Sequence, residues 1–153
     1  MNRDESIRFA TKYLEDLLSF FGINVAVDST IDDEVIQLSV PSTSLNSLLI
    51  GKNADNLRSL QLIVSATLAA RGAEVTRVNV DVADYKRQRA DRIEQKAEGW
   101  IRKVRETGEP MRLDLNAADR RTVHKLAEYY SDISTHSEGV GRERQLIIEK
   151  KPE

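Results

Sequence analysis

Cysteine is absent from the 153-residue sequence, and its absence removes several kinds of chemistry at once. Without thiols the chain has no disulfides, no thiolate zinc site and no cysteine nucleophile, and we expect it in the reducing cytoplasm. Catalytic signatures are missing as well, since there is no Gly-x-Ser-x-Gly elbow, no Walker-type phosphate loop and no cluster of histidines. A metal-dependent nuclease built on Asp81, Asp84 and an arginine is disfavoured, because their strand and helix spacing predicts exposure rather than a converging site. We therefore predict no enzymatic activity, no cofactor and no bound metal.

Long apolar runs are also missing. No apolar stretch approaches the roughly 18 to 20 residues that span a bilayer. The first residues lead into an amphipathic helical pattern rather than a signal-peptide core. With 40% apolar residues, the sequence still predicts a packed globular protein without a membrane span.

Positive charge is scarce in the first half and concentrated in the second. Residues 1–84 carry 7 Lys and Arg against 12 Asp and Glu, a net of −5, whereas residues 85–153 carry 16 against 13, a net of +3. The basic residues crowd into one predicted helix, which is either a cationic surface or an ordinary solvated helix with internal ion pairs. Phosphate binding is therefore expected to favour the second half.

The first 84 residues show the pattern of an α-β-β-α-α-β domain. Apolar residues at helical spacing predict a helix from Asp4 to Phe21 that Gly22 ends. Alternation predicts strands over 23–28 and 35–40, joined by a hairpin, and a third strand at Val78, Val80 and Val82. Between them we predict a short helix capped by Ser42 or Thr43 and a longer one from about Ala54 to Ala70, whose buried face holds Leu57, Leu60, Ile63, Val64 and Leu68.

Residues 85–153 predict a second, smaller α/β domain. A long helix from about Tyr85 to Thr107 buries Ile93, Ala97, Trp100, Ile101 and Val104. A short strand at residues 111–115, a helix from Asn116 to Tyr130 and a strand at residues 145–148 follow, with His136 in a loop. The sequence has no Gly/Ser/Pro-rich linker, so we expect the long helix to join the two domains.

A turn between two helices of the first domain is the first candidate binding feature. Gly51 allows close backbone approach, and a helix N-terminus at this point presents N–H groups to phosphate. Lys52 and Asn53 add a charge and a donor, and Ile50 adds apolar surface, whereas an ordinary interhelical turn is the alternative interpretation. With the α-β-β-α-α-β order, Ile50-Gly51-Lys52-Asn53-Ala54 resembles the GxxG loop of a type II KH domain, which implies a clamp on single-stranded nucleic acid. Ala54 replaces the second glycine of that pattern, so a torsion available only to glycine is expected to be lost.

A pair of residues on one helix face is the second candidate feature. Arg120 and His124 lie four positions apart, which places both side chains on the same face of the predicted helix. A Gly-bracketed loop, Ser137-Glu138-Gly139-Val140-Gly141-Arg142-Glu143-Arg144, follows. This combination resembles an R3H domain, which implies phosphate or base contacts by Arg120, His124, Arg142 and Arg144. The alternative for His124 is a structural histidine that is hydrogen-bonded within the domain.

Both domains in this order resemble the bacterial Jag family of KH–R3H RNA-binding proteins over nearly the whole chain. The resemblance implies a single-stranded RNA-binding protein, either a post-transcriptional regulator or an RNA chaperone, with single-stranded DNA as a second candidate ligand. Many members have a further N-terminal domain, whereas this sequence starts at the KH-like part. The alternative function is a protein-interaction module whose acidic first domain docks another small KH protein, or a second copy of itself, with little RNA contact.

Overall fold

The chain folds into two compact units, Met1–Lys86 and a second that begins at Arg87. A computed structural model describes residues 1–152. The sequence places the division after residue 84. Within the described residues, no helix is both long and apolar enough to cross a membrane.

Helix α1, Arg3–Ser19, opens the first unit. Asn2 and Glu5 form a capping box, in which each side chain accepts the other residue's backbone N–H at 2.9 Å. The helix buries Ala10, Leu14 and Leu18 and ends two residues earlier than predicted. Its predicted stripe is therefore too long, because Phe21 lies beyond the last turn and is 48% exposed.

The first sheet has the order β1-β2-β3, with β1 at Asp28–Asp32, β2 at Val35–Val40 and β3 at Arg77–Val82. Strands β1 and β2 are antiparallel and β2 and β3 parallel. The prediction of a strand over 23–28 was wrong by several residues. The Val27 N–H donates to the Glu15 carboxylate of α1 at 2.9 Å, so this segment is tied to the helix. A two-residue turn at Asp33 and Glu34, both at positive φ, sets the observed register.

Two helices separated by a 3₁₀ turn connect β2 to β3. Helix α2 is Asn46–Ile50, the 3₁₀ turn is Lys52–Ala54 and helix α3 is Asp55–Ala70, so the predicted α-β-β-α-α-β order is confirmed. Helix α2 starts later than a cap at Ser42 or Thr43 would give, because the Thr43 hydroxyl accepts the Leu45 N–H at 3.1 Å in the preceding turn. Ile63 was wrongly assigned to the buried face of α3, since it is 43% exposed.

Side chains of α3 also hydrogen-bond the backbone at and just before the edge strand β3. The Val80 N–H donates to the Gln61 side chain at 3.0 Å, and the Ser65 hydroxyl donates to the Thr76 carbonyl at 2.6 Å. The first bond occupies one N–H of the edge strand that would otherwise be open to another chain, and the second holds the residue before β3 against α3.

The second unit packs helices against a separate antiparallel sheet. Its elements are helix α4 at Tyr85–Thr107, β4 at Met111–Leu113, helix α5 at Ala117–Ala127, β5 at Ile133–Glu138, a 3₁₀ turn at Gly141–Glu143 and β6 at Gln145–Lys150. The strand order is β4-β6-β5. The buried core consists of Ile93, Ala97, Ile101, Val104, Val123, Ala127, Ile133, Leu146 and Ile148, with Trp100 only partly buried against it.

Two predictions for the second unit need correction. Strand β5 was not predicted, and His136, assigned to a loop, lies on it opposite Ile147. Helix α5 ends at Ala127 rather than at Tyr130, although its predicted cap is confirmed, because the Asn116 side chain accepts the Asp119 N–H at 2.9 Å.

Candidate nucleic-acid interface

The loop after α2 has an unusual backbone. Gly51 has φ 75° and ψ 178°, a combination reserved almost entirely for glycine, while Asn53 (φ 54°) and Ala54 (φ 60°) are left-handed. Lys52 and Asn53 are exposed, and Ile50, Gly51 and Ala54 are half-buried. The predicted loop is thus a tight turn with its two polar residues at the surface.

Ala54 corrects the expectation of a lost glycine torsion. Its φ of 60° and ψ of 25° lie in the left-handed region, so the backbone turns there without a second glycine. A left-handed conformation costs a non-glycine residue about 1 to 2 kcal/mol. The loop therefore keeps its geometry at the expense of local strain.

The Asn56 side chain stabilises this turn through a hydrogen bond to α2. Sequence analysis did not identify it. Its amide donates to the Leu48 carbonyl at 2.8 Å, which links the first turn of α3 to α2. A Cβ on Gly51 would lie 2.7 Å from the Asn56 side-chain carbon Cγ, closer than real Cβ contacts. Gly51 is therefore required both for its torsion and for this approach. The Asn56–Leu48 bond spans eight positions across a turn, and no local sequence pattern signals it.

The turn contains several polar groups of the kind that contact anions. The Ala54 and Asp55 N–H groups donate to the Gly51 and Lys52 carbonyls. The N–H groups of Lys52 and Asn53 precede them at the start of the 3₁₀ turn, where helical N–H groups have no intrahelical acceptor. The carboxylate of Asp55, which would repel a phosphate, forms an ion pair with Arg58. The remaining charge at the tip is that of Lys52.

Arg120 in the second unit is a structural residue as well as a cation. Its guanidinium donates to the Leu115 carbonyl at 2.6 Å and to the Arg144 carbonyl at 3.4 Å, and the residue is half-buried. It therefore ties the start of α5 to the end of the Gly-rich loop. A guanidinium has five N–H donors, so further donors remain for a ligand.

His124 is hydrogen-bonded on both ring nitrogens. Nδ1 lies 2.7 Å from the Thr135 hydroxyl and Nε2 lies 3.1 Å from the Ser137 hydroxyl, both on β5. Burial is the main cause that lowers its pKa below 6.5, and the positive charges of Arg120 and Arg144 act in the same direction. The imidazole is therefore mostly neutral at neutral pH. These hydrogen bonds agree with the alternative in which His124 is a structural histidine. The residue is only half-buried, so part of the ring still lies at the protein surface.

The Gly-rich loop brings two more arginines to the surface. The Arg144 guanidinium donates to the Gly139 carbonyl at 2.8 Å, which closes the loop. A Cβ on Gly139, which has φ 97°, would lie 3.0 Å from the Glu143 carbonyl oxygen, so a side chain there is excluded. Arg142 is exposed on the 3₁₀ turn, and no hydrogen bond or ion pair within residues 1–152 involves its side chain.

The fold thus brings Arg120, His124 and Arg144 together and presents Arg142 on the same loop as Arg144. We call these four residues the cationic face. Sequence analysis missed Thr135 and Ser137, which orient the imidazole, because strand β5 itself was missed.

Two arginines of the basic helix α4 have structural partners. Arg89 pairs with the buried Asp119 at 2.9 Å, and Arg105 pairs with Asp132 at 2.5 Å and lies over the Tyr130 ring at 4.8 Å. The hydrogen bonds from Arg105 lower the pKa of the Asp132 carboxyl. The cationic character expected for α4 is therefore partly used to hold the second unit together. Within residues 1–152 there is also no cluster of His, Asp and Glu suited to a metal ion.

Comparison with known proteins agrees with this geometry. Residues 91–150 match the family model of the R3H domain. The second unit is an R3H domain. Along most of its length the chain is similar to proteins named RNA-binding protein KhpB: 28% identical to that of Clostridium symbiosum, over 94% of this chain and 66% of the relative, and 26% identical to that of Lactiplantibacillus plantarum, over 95% of this chain and 45% of the relative.

A third relative of the same name, from Streptococcus pneumoniae, is 21% identical over 90% of this chain and 42% of its own length. These matches confirm the resemblance to the bacterial Jag family of KH–R3H proteins. The chain spans about two thirds of the first of these relatives and less than half of the other two. The relatives' names describe RNA binding and no reaction.

Proposed function

We propose that this protein binds single-stranded RNA in the cytoplasm, mainly through the cationic face of its R3H domain, with the loop Ile50–Ala54 as a second contact. The observation that carries the proposal is the convergence of Arg120, His124 and Arg144 on one surface. Arginine recognises phosphate with paired donors and also stacks on bases. The names of the relatives support the same ligand.

Arg142→Gln is the cleanest test of the cationic face. Arg142 is exposed and makes no hydrogen bond within the described residues, so its loss leaves the internal bonds of Arg120 and Arg144 in place. We expect the affinity for a single-stranded RNA to fall about tenfold, the low end for the loss of one charge-assisted hydrogen bond, with an unchanged melting temperature. The matched control is Arg121→Gln, which removes the same charge from an exposed position of α5. Equal effects of the two variants would show that RNA binding depends on overall positive charge and not on the cationic face.

Salt dependence tests the electrostatic character of binding. If about four phosphates are contacted, log K falls with log salt at a slope of about −3, at roughly −0.7 per contact for single strands. Duplex DNA should bind more weakly. A flat salt response would contradict a phosphate-based interface.

The loop of the first unit is tested by Lys52→Asp with Asn53→Asp. Both residues are exposed, so the new charges alter the anion site without entering the core. RNA affinity should fall while thermal stability barely changes. Arg8→Asp with Asn24→Asp changes the formal charge equally at exposed positions outside the loop and is the matched control. If both pairs weaken RNA binding alike, the loop has no special role.

The cellular role implied by the resemblance is that of a post-transcriptional regulator or RNA chaperone. A chaperone accelerates the annealing of complementary strands, which can be followed by energy transfer between two labelled RNAs. We expect acceleration by the wild-type chain and less by Arg142→Gln. No acceleration would leave the role of a regulator that binds without remodelling.

A protein-interaction module is the second candidate function. It is favoured by the exposed apolar side chains of the first unit, above all Phe20 at 85% and Leu62 at 69%, in a part of the chain with a net charge of −5. The partner would be another small KH protein or a second copy of this chain. Sedimentation equilibrium at rising concentration, with Leu62→Lys as the variant, distinguishes self-association from a monomer.

A further inference from the structure

The outer surface of helix α4 carries basic residues that the second unit does not use for its own structure. Arg92, Lys96 and Lys103 are exposed, and no hydrogen bond or ion pair within residues 1–152 involves their side chains. Their spacings of four and seven residues place them on one face of the helix. From the first to the last, this row is about 16 Å long. We call these three residues, together with Gly99 between the last two, the α4 stripe.

The carboxylates in the middle of α4 lie away from the α4 stripe. The opposite flank of the helix holds three acidic residues at the same helical spacing, Asp91, Glu94 and Glu98. A solvated helix is stabilised when opposite charges lie one turn apart, whereas Arg92 is followed one turn later by Lys96, a like-charge pair that weakens the helix. Glu106, one turn after Lys103, forms no ion pair within the part of the chain that the structure describes. The α4 stripe is therefore a positive surface rather than a row of internal ion pairs.

Gly99 lies in the α4 stripe, although a helix interior does not favour glycine. The residue is exposed, and a Cβ at this position would meet nothing within 4 Å, so packing inside the unit does not require glycine. Glycine is expected where another backbone or a ligand approaches closely. Two departures from helix-favouring sequence, the like-charge pair and the glycine, thus fall on one face of α4. Such departures are expected at functional sites.

Trp100 lies beside the α4 stripe, one turn from both Lys96 and Lys103. It is the only tryptophan of the sequence and is packed, partly buried, against the core of the second unit. Aromatic rings contact bases of any sequence, so a strand held by the lysines would meet a suitable neighbour for its bases.

The N-terminal end of the α4 stripe adjoins the cationic face. Arg89, one turn before Arg92, forms an ion pair with Asp119 at 2.9 Å. Asp119 lies in the first turn of α5 and directly precedes Arg120. A strand with one phosphate at Arg120 can therefore continue along α4.

We propose that the α4 stripe is a second RNA-binding surface of the R3H domain, on which Arg92, Lys96 and Lys103 contact phosphates of a single strand whose backbone passes close to Gly99. This inference rests on the proposed RNA binding and extends the binding site beyond the cationic face. An acidic protein segment would also be attracted by the positive charges, but the adjoining Arg120 and the aromatic ring favour a nucleic-acid strand.

The first test is Lys96→Gln with Lys103→Gln in the full chain, titrated with a labelled oligouridine strand by fluorescence anisotropy at several salt concentrations. Affinity should fall at least about tenfold, the low end for one lost charge-assisted contact. The slope of log K against log salt should become shallower by about 1.4, at roughly 0.7 for each lost phosphate contact. Arg102→Gln with Arg8→Gln removes the same charge from exposed positions outside the α4 stripe and should keep the wild-type slope.

Gly99→Gln separates RNA contact from stability. Glutamine is a much better helix former than glycine, and its Cβ enters open space, so the melting temperature should rise. The side chain would nevertheless hold an RNA backbone away from the helix, so affinity should fall about tenfold, as for one lost contact. Trp100 emission reports the same place, and saturating oligouridine should change it in the wild type.

The proposal is refuted if Gly99→Gln binds RNA as tightly as the wild type, if the double lysine variant keeps the wild-type salt slope, or if Trp100 emission does not respond at saturation. In each of these cases a loss of affinity in Arg142→Gln would still support the cationic face. A wild-type chain that binds no oligouridine at low salt would instead overturn the proposed RNA binding itself.

Discussion

Replacing Ala54 by glycine should stabilise the first unit, although glycine usually destabilises helical segments. Ala54 immediately precedes α3 with φ 60° and ψ 25°, so its side chain stands in a left-handed conformation. Glycine adopts this conformation without steric cost. The same substitution in the middle of α3 meets right-handed backbone and gains nothing.

The expected magnitude follows from three contributions. Relief of the left-handed conformation is worth about 1 to 2 kcal/mol. The greater freedom of glycine in the unfolded chain removes about 0.5 to 1 kcal/mol. The half-buried methyl group accounts for a further loss of about 0.4 kcal/mol, half of one buried CH₂. The net expectation is a gain of about 0.5 kcal/mol, or a rise of roughly 2 to 4 °C in melting temperature for a unit of this size.

Urea denaturation followed by circular dichroism measures this change, with Ala66→Gly as the matched control. Ala66 is exposed within α3, where glycine in place of alanine costs about 1 kcal/mol. The two alanine-to-glycine variants should therefore change the free energy of unfolding in opposite directions. If Ala54→Gly destabilises as much as Ala66→Gly, residue 54 is not left-handed and the loop geometry described above is wrong.

Three further predictions concern other sites. Gly51→Ala forces a side chain into a glycine-only torsion and should destabilise the first unit by about 2 to 4 kcal/mol in the same denaturation assay; a loss below about 0.5 kcal/mol would contradict that torsion. Arg89→Ala leaves the buried carboxylate of Asp119 without its ion pair and should lower the free energy of unfolding by about 1 to 3 kcal/mol, less than for a fully buried pair because Arg89 is 38% exposed. Arg92→Ala, on the exposed side of α4, should lower it little. The lowered pKa of His124 means that the unfolded chain binds a proton at this residue more readily than the folded chain. The contribution of the neutral ring to stability is therefore complete above pH 6.5 and is lost as pH falls towards the folded pKa. His124→Gln should flatten this part of a profile of unfolding free energy between pH 8 and 5, and an unchanged profile would contradict the lowered pKa.

The lowered pKa of His124 also moves the expected pH dependence of RNA binding. A histidine near its ordinary value would gain phosphate affinity between pH 8 and 6. Because the pKa of His124 in the unbound protein is lowered below 6.5, protonation should strengthen phosphate binding only in the more acidic part of that range.

The sequence was most informative where local chemistry decides the structure. The bounds of α4 and the Asn116 cap of α5 were predicted correctly, because apolar periodicity and capping are local signals. Strand β5 was missed because its inward positions after Ile133 are Thr135 and Ser137, whose hydroxyls contact His124. A strand that uses hydroxyls on its buried side lacks the apolar alternation by which strands are recognised.

The candidate site was predictable only in part for a similar reason. Helical spacing placed Arg120 and His124 on one face, and the structure agrees. The contact of Arg120 with the Arg144 carbonyl joins residues 24 positions apart, and the Asn56 bond to Leu48 depends on the torsions of the intervening turn. Such contacts depend on tertiary structure, so spacing alone does not predict them.

The ion pair between Arg89 and Asp119 affects where an autonomous R3H fragment can begin. The family match starts at residue 91, two positions after Arg89. A fragment cut at residue 91 would retain a carboxylate that is only 5% exposed and lose the guanidinium that neutralises it. The smallest independently folding piece should therefore start near Tyr85, where α4 begins, so that the physical boundary of this domain lies upstream of the boundary that sequence similarity defines.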